Sequence, residues 1–333
     1  MEAYPIKFIP ILKEKIWGGE KLRQMLNKNS NSKNIGESWE ISGVEENISI
    51  VSNGLYKGHS INTLICKFKV DFLGYHNSKT FGENFPLLIK FLDAKTNLSV
   101  QVHPDDDMAS AYHNAYGKTE MWYIMNSDKD AEIILGLKND NTDNRVLSKI
   151  DASNVDAIFN TEKVKQGDSY FIPAGTIHAI GAGVLAAEIQ QTSDITYRVY
   201  DWDRIDEKGH KRELHVDLAQ KATKIFNPSA KSKYHLEHDK TSNLVDCNYF
   251  TTNIFQVNGS QIRNYKNLDS FVIYMCVEGM SEITVNNHKE YLTFGETVLI
   301  PANSDEVLFN SQSAKLLEIY IDSKVYKCKK LAC

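Results

Sequence analysis

No window of this 333-residue chain approaches the roughly 18 consecutive apolar residues of a membrane span, so no membrane partner is expected. The opening residues, Met1 to Lys13, carry charges where a secretory leader needs an unbroken apolar core. Cysteine is sparse: Cys66, Cys247, Cys276, Cys328 and Cys333 are scattered, odd in number and without a CxxC pair. That usage points to reduced thiols in a cytoplasmic protein and offers neither a zinc ligand nor a nucleophile. An excess of one charge is also missing. The 38 basic and 43 acidic residues leave a net charge of −5, which gives no reason to expect nucleic acid or an anionic surface as partner. Finally, there is no glycine-rich phosphate loop and no GxGxxG after a strand.

The informative stretch is Pro86 to Asp106. Ser99, Gln101 and His103 alternate with Val100 and Val102, so on a strand the polar groups share one face and the valines the other. Pro104 and the aspartates behind it end that strand, and Asp106 to His113 reads as a short helix capped by aspartate. Gly117 to Ile124 reads as a second strand with Glu120 near its start. Gly167 to His178 reads as a strand, a Pro173-Ala174-Gly175 turn and a return strand carrying His178. Together these segments supply His103, His178, Glu120 and Gln101: two imidazoles, a carboxylate and an amide oxygen. Either histidine alone would pass for an ordinary sheet residue, but the combination argues for a metal site. Zinc suits the set, and manganese, iron and cobalt are compatible with it. Gln101 is a ligand or stands behind one. The other eight histidines sit in no comparable pattern.

A chain of this length is too long for one ordinary core, and two modules are expected. Residues 19–28, 60–73 and 212–222 have helical spacing, while 37–42 and 48–51 read as strands. From Glu120 onward the chain reads mostly as short strands, with a polar linker from Asn227 to Asn243 and a solvated lysine-rich stretch at Lys324 to Lys330. Gly167-Asp168 precedes Pro173-Ala174 by the same step that Gly295-Glu296 precedes Pro301-Ala302, an echo of two related β-sandwich units.

The motif Gln101-Val-His-Pro-Asp-Asp106 resembles the signature of type I mannose-6-phosphate isomerases, which are zinc-dependent cupin enzymes. Lys118 with Glu120, Pro173 to His178, and Glu188 to Arg198 match in the same order. Trp17-Gly18-Gly19 and Gly36 to Glu40 extend the resemblance towards the N-terminus, and the short bacterial form fits best. The resemblance implies a mainly β bicupin, two jelly-roll modules with a few short helices. Residues 1–235 would form the metal-binding catalytic module with helical additions, and 236–333 a cupin-like module without a metal.

The implied reaction interconverts mannose 6-phosphate and fructose 6-phosphate through an enediol, with one Zn2+ per chain. A proton leaves C2 and one returns to C1 while negative charge builds on two oxygens, so a cation must sit there. Arg198 matches the family's active-site arginine and, staying protonated, would steady the enediolate. An ion pair with Asp194, Asp201 or Asp203 is its ordinary structural alternative. Lys118 and Asp194 are further catalytic candidates. Lys118, Asp194, Glu188 or a water held at the site is left as proton carrier. For the substrate's phosphate, the resemblance points to Lys90 and Ser99, and Glu188 is a further substrate-binding candidate. Lys90 lies in an apolar strand, where a lysine is costly unless it meets an anion. Trp17 and Trp39 either wall the pocket or, as is usual for buried tryptophans, belong to the core, and they are left out of the site. Competing readings are another metal cupin enzyme, such as an oxygenase, and a non-catalytic sugar-phosphate-binding cupin. The oligomeric state stays open between monomer and homodimer.

Overall fold

The structure is a computed structural model that describes residues 1–138, 143–206, 208–224, 230–237 and 240–322. Numbering strands in chain order, one six-stranded sheet runs β1 (Ile11–Gly19), β2 (Ile35–Ile41), β3 (Leu87–Ala94), β10 (Val184–Gln191), β5 (Glu120–Ser127) and β8 (Ser169–Ile172). A five-stranded sheet faces it: β11 (Tyr197–Tyr200), β4 (Val100–Val102), β9 (His178–Ile180), β6 (Glu132–Leu137) and β7 (Phe159–Lys163). The third sheet is β12 (Thr241–Asp246), β13 (Thr251–Asn264), β17 (Glu306–Tyr320), β14 (Val272–Val285) and β15 (His288–Thr293), with β16 (Thr297–Ile300) beside β14. This is the mainly β, cupin-type architecture expected from the sequence.

Every residue of β3 and β10 is buried, because both faces of the first sheet are covered. Alternation sorts their side chains. Ile89 and Phe91, Ala187 and Ile189, and Met121 and Tyr123 point outward into one apolar cluster. The opposite face looks into the sandwich. There Ala94, Ala186 and Ile124 pack at one end against Ile133, Leu135 and Ile180 of the second sheet. On that same face, at the other end, the strands carry Lys90, Glu188 and Glu120. One interior therefore has a dry end and a polar end, and the polar end is the site. Val100 and Val102 leave the interior on the far side and pack with Val199 and Ala219.

The outward cluster is shared with the helices Ile61–Phe68 and Val70–Leu73, with Phe271 just before β14, and with Ile273, Leu317 and Ile319 of the third sheet. Phe85 packs on Phe271 with centroids 5.0 Å apart. Truncating such a buried phenylalanine costs about 3–5 kcal/mol. The first residues lie across the third sheet, where Ile6 and Leu299 exchange both backbone hydrogen bonds at 2.9 Å.

Several elements differ from the sequence reading. The helix expected over 60–73 breaks at Lys69, which adopts φ +43°, and a further helix, Tyr75–Phe81, follows Gly74. Ile48–Val51 forms isolated bridges through Ile50 and Val51 instead of a strand. Only Lys21–Gln24 and Val216–Ala222 of the other two periodic stretches are helical. Asp106–His113 is helical, with the Asp105 carboxylate accepting from the Met108 N–H as its cap. Residues 225–229 and 238–239 of the expected linker and the lysine-rich stretch lie outside the described residues, and β12 begins inside the linker.

Candidate active site and metal centre

β4 is short, but it sets the site. Gln101 pairs with Arg198 on one side and with His178 on the other. The turn before His178 passes through Gly175 at φ +91°, a conformation that favours glycine, and a Cβ there would meet the Ala222 carbonyl at 2.9 Å. Across the interior, Glu120 opens β5.

His103, Glu120 and His178 converge, and all three are about 1% exposed. Each imidazole Nδ1 donates to a carbonyl at 2.9 Å, His103 to Ile195 and His178 to Thr176. A carbonyl can only accept, so the Nδ1 positions carry the protons and both Nε2 lone pairs point inward. They point at different oxygens of one carboxylate. His103 Nε2 is 3.4 Å from Glu120 Oε2, and His178 Nε2 is 3.4 Å from Oε1. Neither oxygen has a well-aligned hydrogen bond, although Lys118 Nζ lies 3.2 Å from Oε2 and 3.0 Å from His103 Nε2. Acceptors facing acceptors in a dry interior call for a cation at their centre.

Titration behaviour agrees. Burial, reinforced by Glu188, pushes the Glu120 carboxyl up to about 7 against the pull of Lys118 and Lys90. Burial also holds His178 down to about 4 and, with Lys118 and His178 nearby, keeps His103 well below the usual imidazole range. Neutral imidazoles are the ligating form. The Gln101 amide closes the set, one end 3.3 Å from His178 Nε2 and the other accepting from Ser99 at 3.4 Å. Rotating that amide would turn its oxygen to the centre. The donors therefore fit a resident divalent metal.

Above the triad opens a cavity of about 260 Å³. Six cationic side chains, Lys13, Lys15, Lys90, Lys118, Arg198 and Arg212, line it against three acids, Glu37, Glu188 and Asp194. The excess of positive charge favours an anionic ligand. Lys90 is bonded to Glu188 at 3.0 Å, with both side chains about 5% exposed. The other Glu188 oxygen accepts from Trp122 Nε1 at 3.0 Å. Burial would raise Glu188, but Lys90 and Lys118 outweigh it and keep the carboxylate ionised. Arg198 has no carboxylate within ion-pair distance among the described residues. One Nη donates to the Glu213 carbonyl at 2.7 Å while Nε is buried without a partner. Asp201, one of its acidic neighbours in sequence, binds Arg204 and Arg212 instead. Asp194 is exposed on the cavity wall.

All ten residues singled out from the sequence therefore meet in one place, as triad or as cavity wall. The sequence reading misses others. Lys13, Lys15, Glu37, Thr196 and Arg212 line the cavity, and so do Trp17 and Trp39, for which that reading weighs the pocket wall against the core before leaving them out. The alternation Lys13-x-Lys15-x-Trp17 and Glu37-x-Trp39 is the signal that could have found them. Nor does the sequence show that 213–215 would brace Arg198, whose backbone N–H donates to His215 Nδ1 at 3.3 Å.

Comparison with known proteins decides the family. Residues 6–142 match the catalytic domain of type I phosphomannose isomerase, and residues 240–321 match the cupin domain of mannose-6-phosphate isomerase. Mannose-6-phosphate isomerase ManA of Bacillus subtilis is 36% identical over 311 residues, covering 90% of this chain and 94% of its own. The chain belongs to the type I phosphomannose isomerases. Within that family, the mannose-6-phosphate isomerase of Streptococcus mutans is also 36% identical, over 90% of this chain and 93% of its own. A crystal structure of the Bacillus subtilis isomerase superposes with a TM-score of 0.86 at 33% identity, covering 96% of this chain and all of that one. A mannose 6-phosphate isomerase bound with zinc and yttrium shares the fold at 15% identity, with a TM-score of 0.76 over 96% of this chain and 99% of that one. In this type I phosphomannose isomerase, the matched catalytic segment supplies His103 and Glu120, and His178 arrives from β9 beyond it.

Proposed function

We propose that the chain is a zinc-dependent aldose–ketose isomerase that interconverts mannose 6-phosphate and fructose 6-phosphate. The reading places it in the cytoplasm, where free thiols such as Cys66, Cys247 and Cys276 persist. One observation carries it: two imidazole lone pairs meet both oxygens of the buried Glu120 beneath a cavity rich in cations. His103, Glu120 and His178 would hold the zinc, with Gln101 as fourth ligand or support. Bound there, the ion would supply the positive charge that C1 and C2 oxygens need in the enediolate.

The remaining work falls to the protein's own groups. A proton must leave C2, and one must be delivered to C1. Lys118, 3.0 Å from His103 Nε2 and 3.2 Å from Glu120, would exchange a proton near those carbons. Glu188 has both oxygens engaged by Lys90 and Trp122, so its part is to orient sugar hydroxyls. Arg198 has one unpaired buried N–H to offer a developing oxyanion, and its permanent charge favours stabilisation over proton abstraction. Ser99 shares the Gln101 face and lines the cavity beside it, where it would meet the sugar. Asp194, at the exposed wall and beyond ion-pair distance of Arg198, would relay a proton to solvent.

The test is a coupled assay for fructose 6-phosphate on protein stripped with a chelator and reloaded with zinc. Activity that vanishes and returns supports both reaction and metal. Reloaded, folded protein that binds mannose 6-phosphate without turning it over would overturn the enzymatic reading.

A further inference from the structure

The cations of the cavity are not equally free. Lys90 is neutralised by Glu188 at 3.0 Å, Lys118 lies 3.2 Å from Glu120, and Lys15 lies 3.1 Å from Glu37. Arg212 is held by Asp201. Lys13 differs. Its described partners are the Asn47 side-chain oxygen and the face of Trp39, with Nζ 5.1 Å from the ring centroid. An amide and an aromatic face position an ammonium without cancelling its charge.

Trp39 also fixes where Lys13 stands. The same ring has Lys90 Nζ 5.1 Å from its centroid. Lys90 is bonded to Glu188 and feels the charge of Glu120. The cavity wall thus leads from the triad past Glu188 and Lys90, across Trp39, to Lys13. A hexose 6-phosphate whose C1 and C2 lie over the triad carries its phosphate at the far end of its carbon chain, towards Lys13.

Lys90 is a poor host for a dianion. It sits between Glu188 and Glu37, and Glu37 stays ionised because Lys90 and Lys15 outweigh its burial and hold it at about 2. A phosphate on Lys90 would face two carboxylates. On Lys13 it would replace only an amide oxygen.

We propose that Lys13, steered by Asn47 and Trp39, anchors the phosphate of the substrate and sets the preference for phosphorylated sugars, while Lys90 serves as an internal counter-ion. The inference builds on the isomerase reading but concerns only anion binding. Lys15, two residues further along β1 and tied to Glu37, has a secondary part.

The experiment compares the zinc-loaded wild type with Lys13→Met and Lys13→Arg. It reads steady-state isomerisation of mannose 6-phosphate and calorimetric binding of inorganic phosphate. Lys13→Met is expected to raise KM about ten-fold with kcat within about two-fold, and to weaken phosphate binding to a similar degree. Lys13→Arg, which keeps the charge, should recover most of both. Lys13→Gln takes the place of Lys13→Met if that variant fails to hold zinc or its native circular dichroism. A KM rise under about three-fold with unchanged phosphate binding overturns the proposal, as does a fall confined to kcat. A wild type that binds phosphate through Lys13 yet never isomerises the sugar would remove the isomerase reading and leave the anchor standing.

Discussion

Lys90 and Glu188 stand opposite one another on β3 and β10, joined at 3.0 Å in an interior that leaves each about 5% exposed. A buried pair is costly to form and more costly to break, because the survivor keeps its charge without its partner. Lys90→Met should lower unfolding stability by about 3–5 kcal/mol in urea titrations. The double variant Lys90→Met/Glu188→Leu should recover a large part of that loss. Equal instability of both proteins would mean that the pair is not the unit that matters.

Metal retention should follow the geometry of the triad. His178→Ala removes a proposed ligand and Glu120→Gln replaces a carboxylate with a neutral, weaker amide oxygen, so neither protein should keep stoichiometric zinc through dialysis, as read by elemental mass spectrometry. Gln101→Leu should hold the ion about 10–100-fold more weakly if the amide only supports a ligand. A loss as complete as that of His178→Ala would make Gln101 a ligand.

Arg198 offers its guanidinium to the cavity with one carbonyl contact and one idle N–H. Arg198→Ala should reduce kcat about 100-fold or more while leaving zinc content intact. Arg198→Lys should rescue little, since an ammonium does not reproduce the planar fork. Full activity in the lysine variant would reduce the role to charge alone.

Acid should act through Glu37. Burial alone would raise its pKa, but Lys90 and Lys15 reverse the sign and hold it at about 2. Its contribution, about 3 kcal/mol, is therefore complete above the ordinary carboxyl range and is lost as pH falls through about 2. The stability gap between wild type and Glu37→Gln should be widest near neutrality and narrow as pH falls from about 5. A constant gap across that range would contradict the assignment.

The convergence of His103, Glu120 and His178 was legible because its signals are local. The Ser99-to-His103 alternation and the turn before His178 each lie within one segment, and short-range rules read them well. The Asp105 cap was legible for the same reason. Long-range partners were not. A lysine within an apolar strand announces an anion, which the sequence reading takes to be the substrate's phosphate; the anion in contact is Glu188, 98 residues away and on the adjacent strand. The helix over 60–73 carries the right periodicity, yet Lys69 leaves helical geometry where the chain turns to pack on the third sheet. Lys13 and Lys15 stayed hidden because their strand reads as charged surface until β2 brings Glu37 and Trp39 beside it.

The apolar cluster that joins Phe72 and Phe85 to Phe271 and Leu317 makes the two halves of the chain mutual scaffolding. A heating scan should consequently show one calorimetric transition, since neither half can melt without stripping the other of its wall. Selection on the third sheet would then act through shape. Its inward side chains are answerable to the catalytic half for the flatness and grease of a shared partition, and a bulky polar change there would disturb catalysis without ever meeting a sugar.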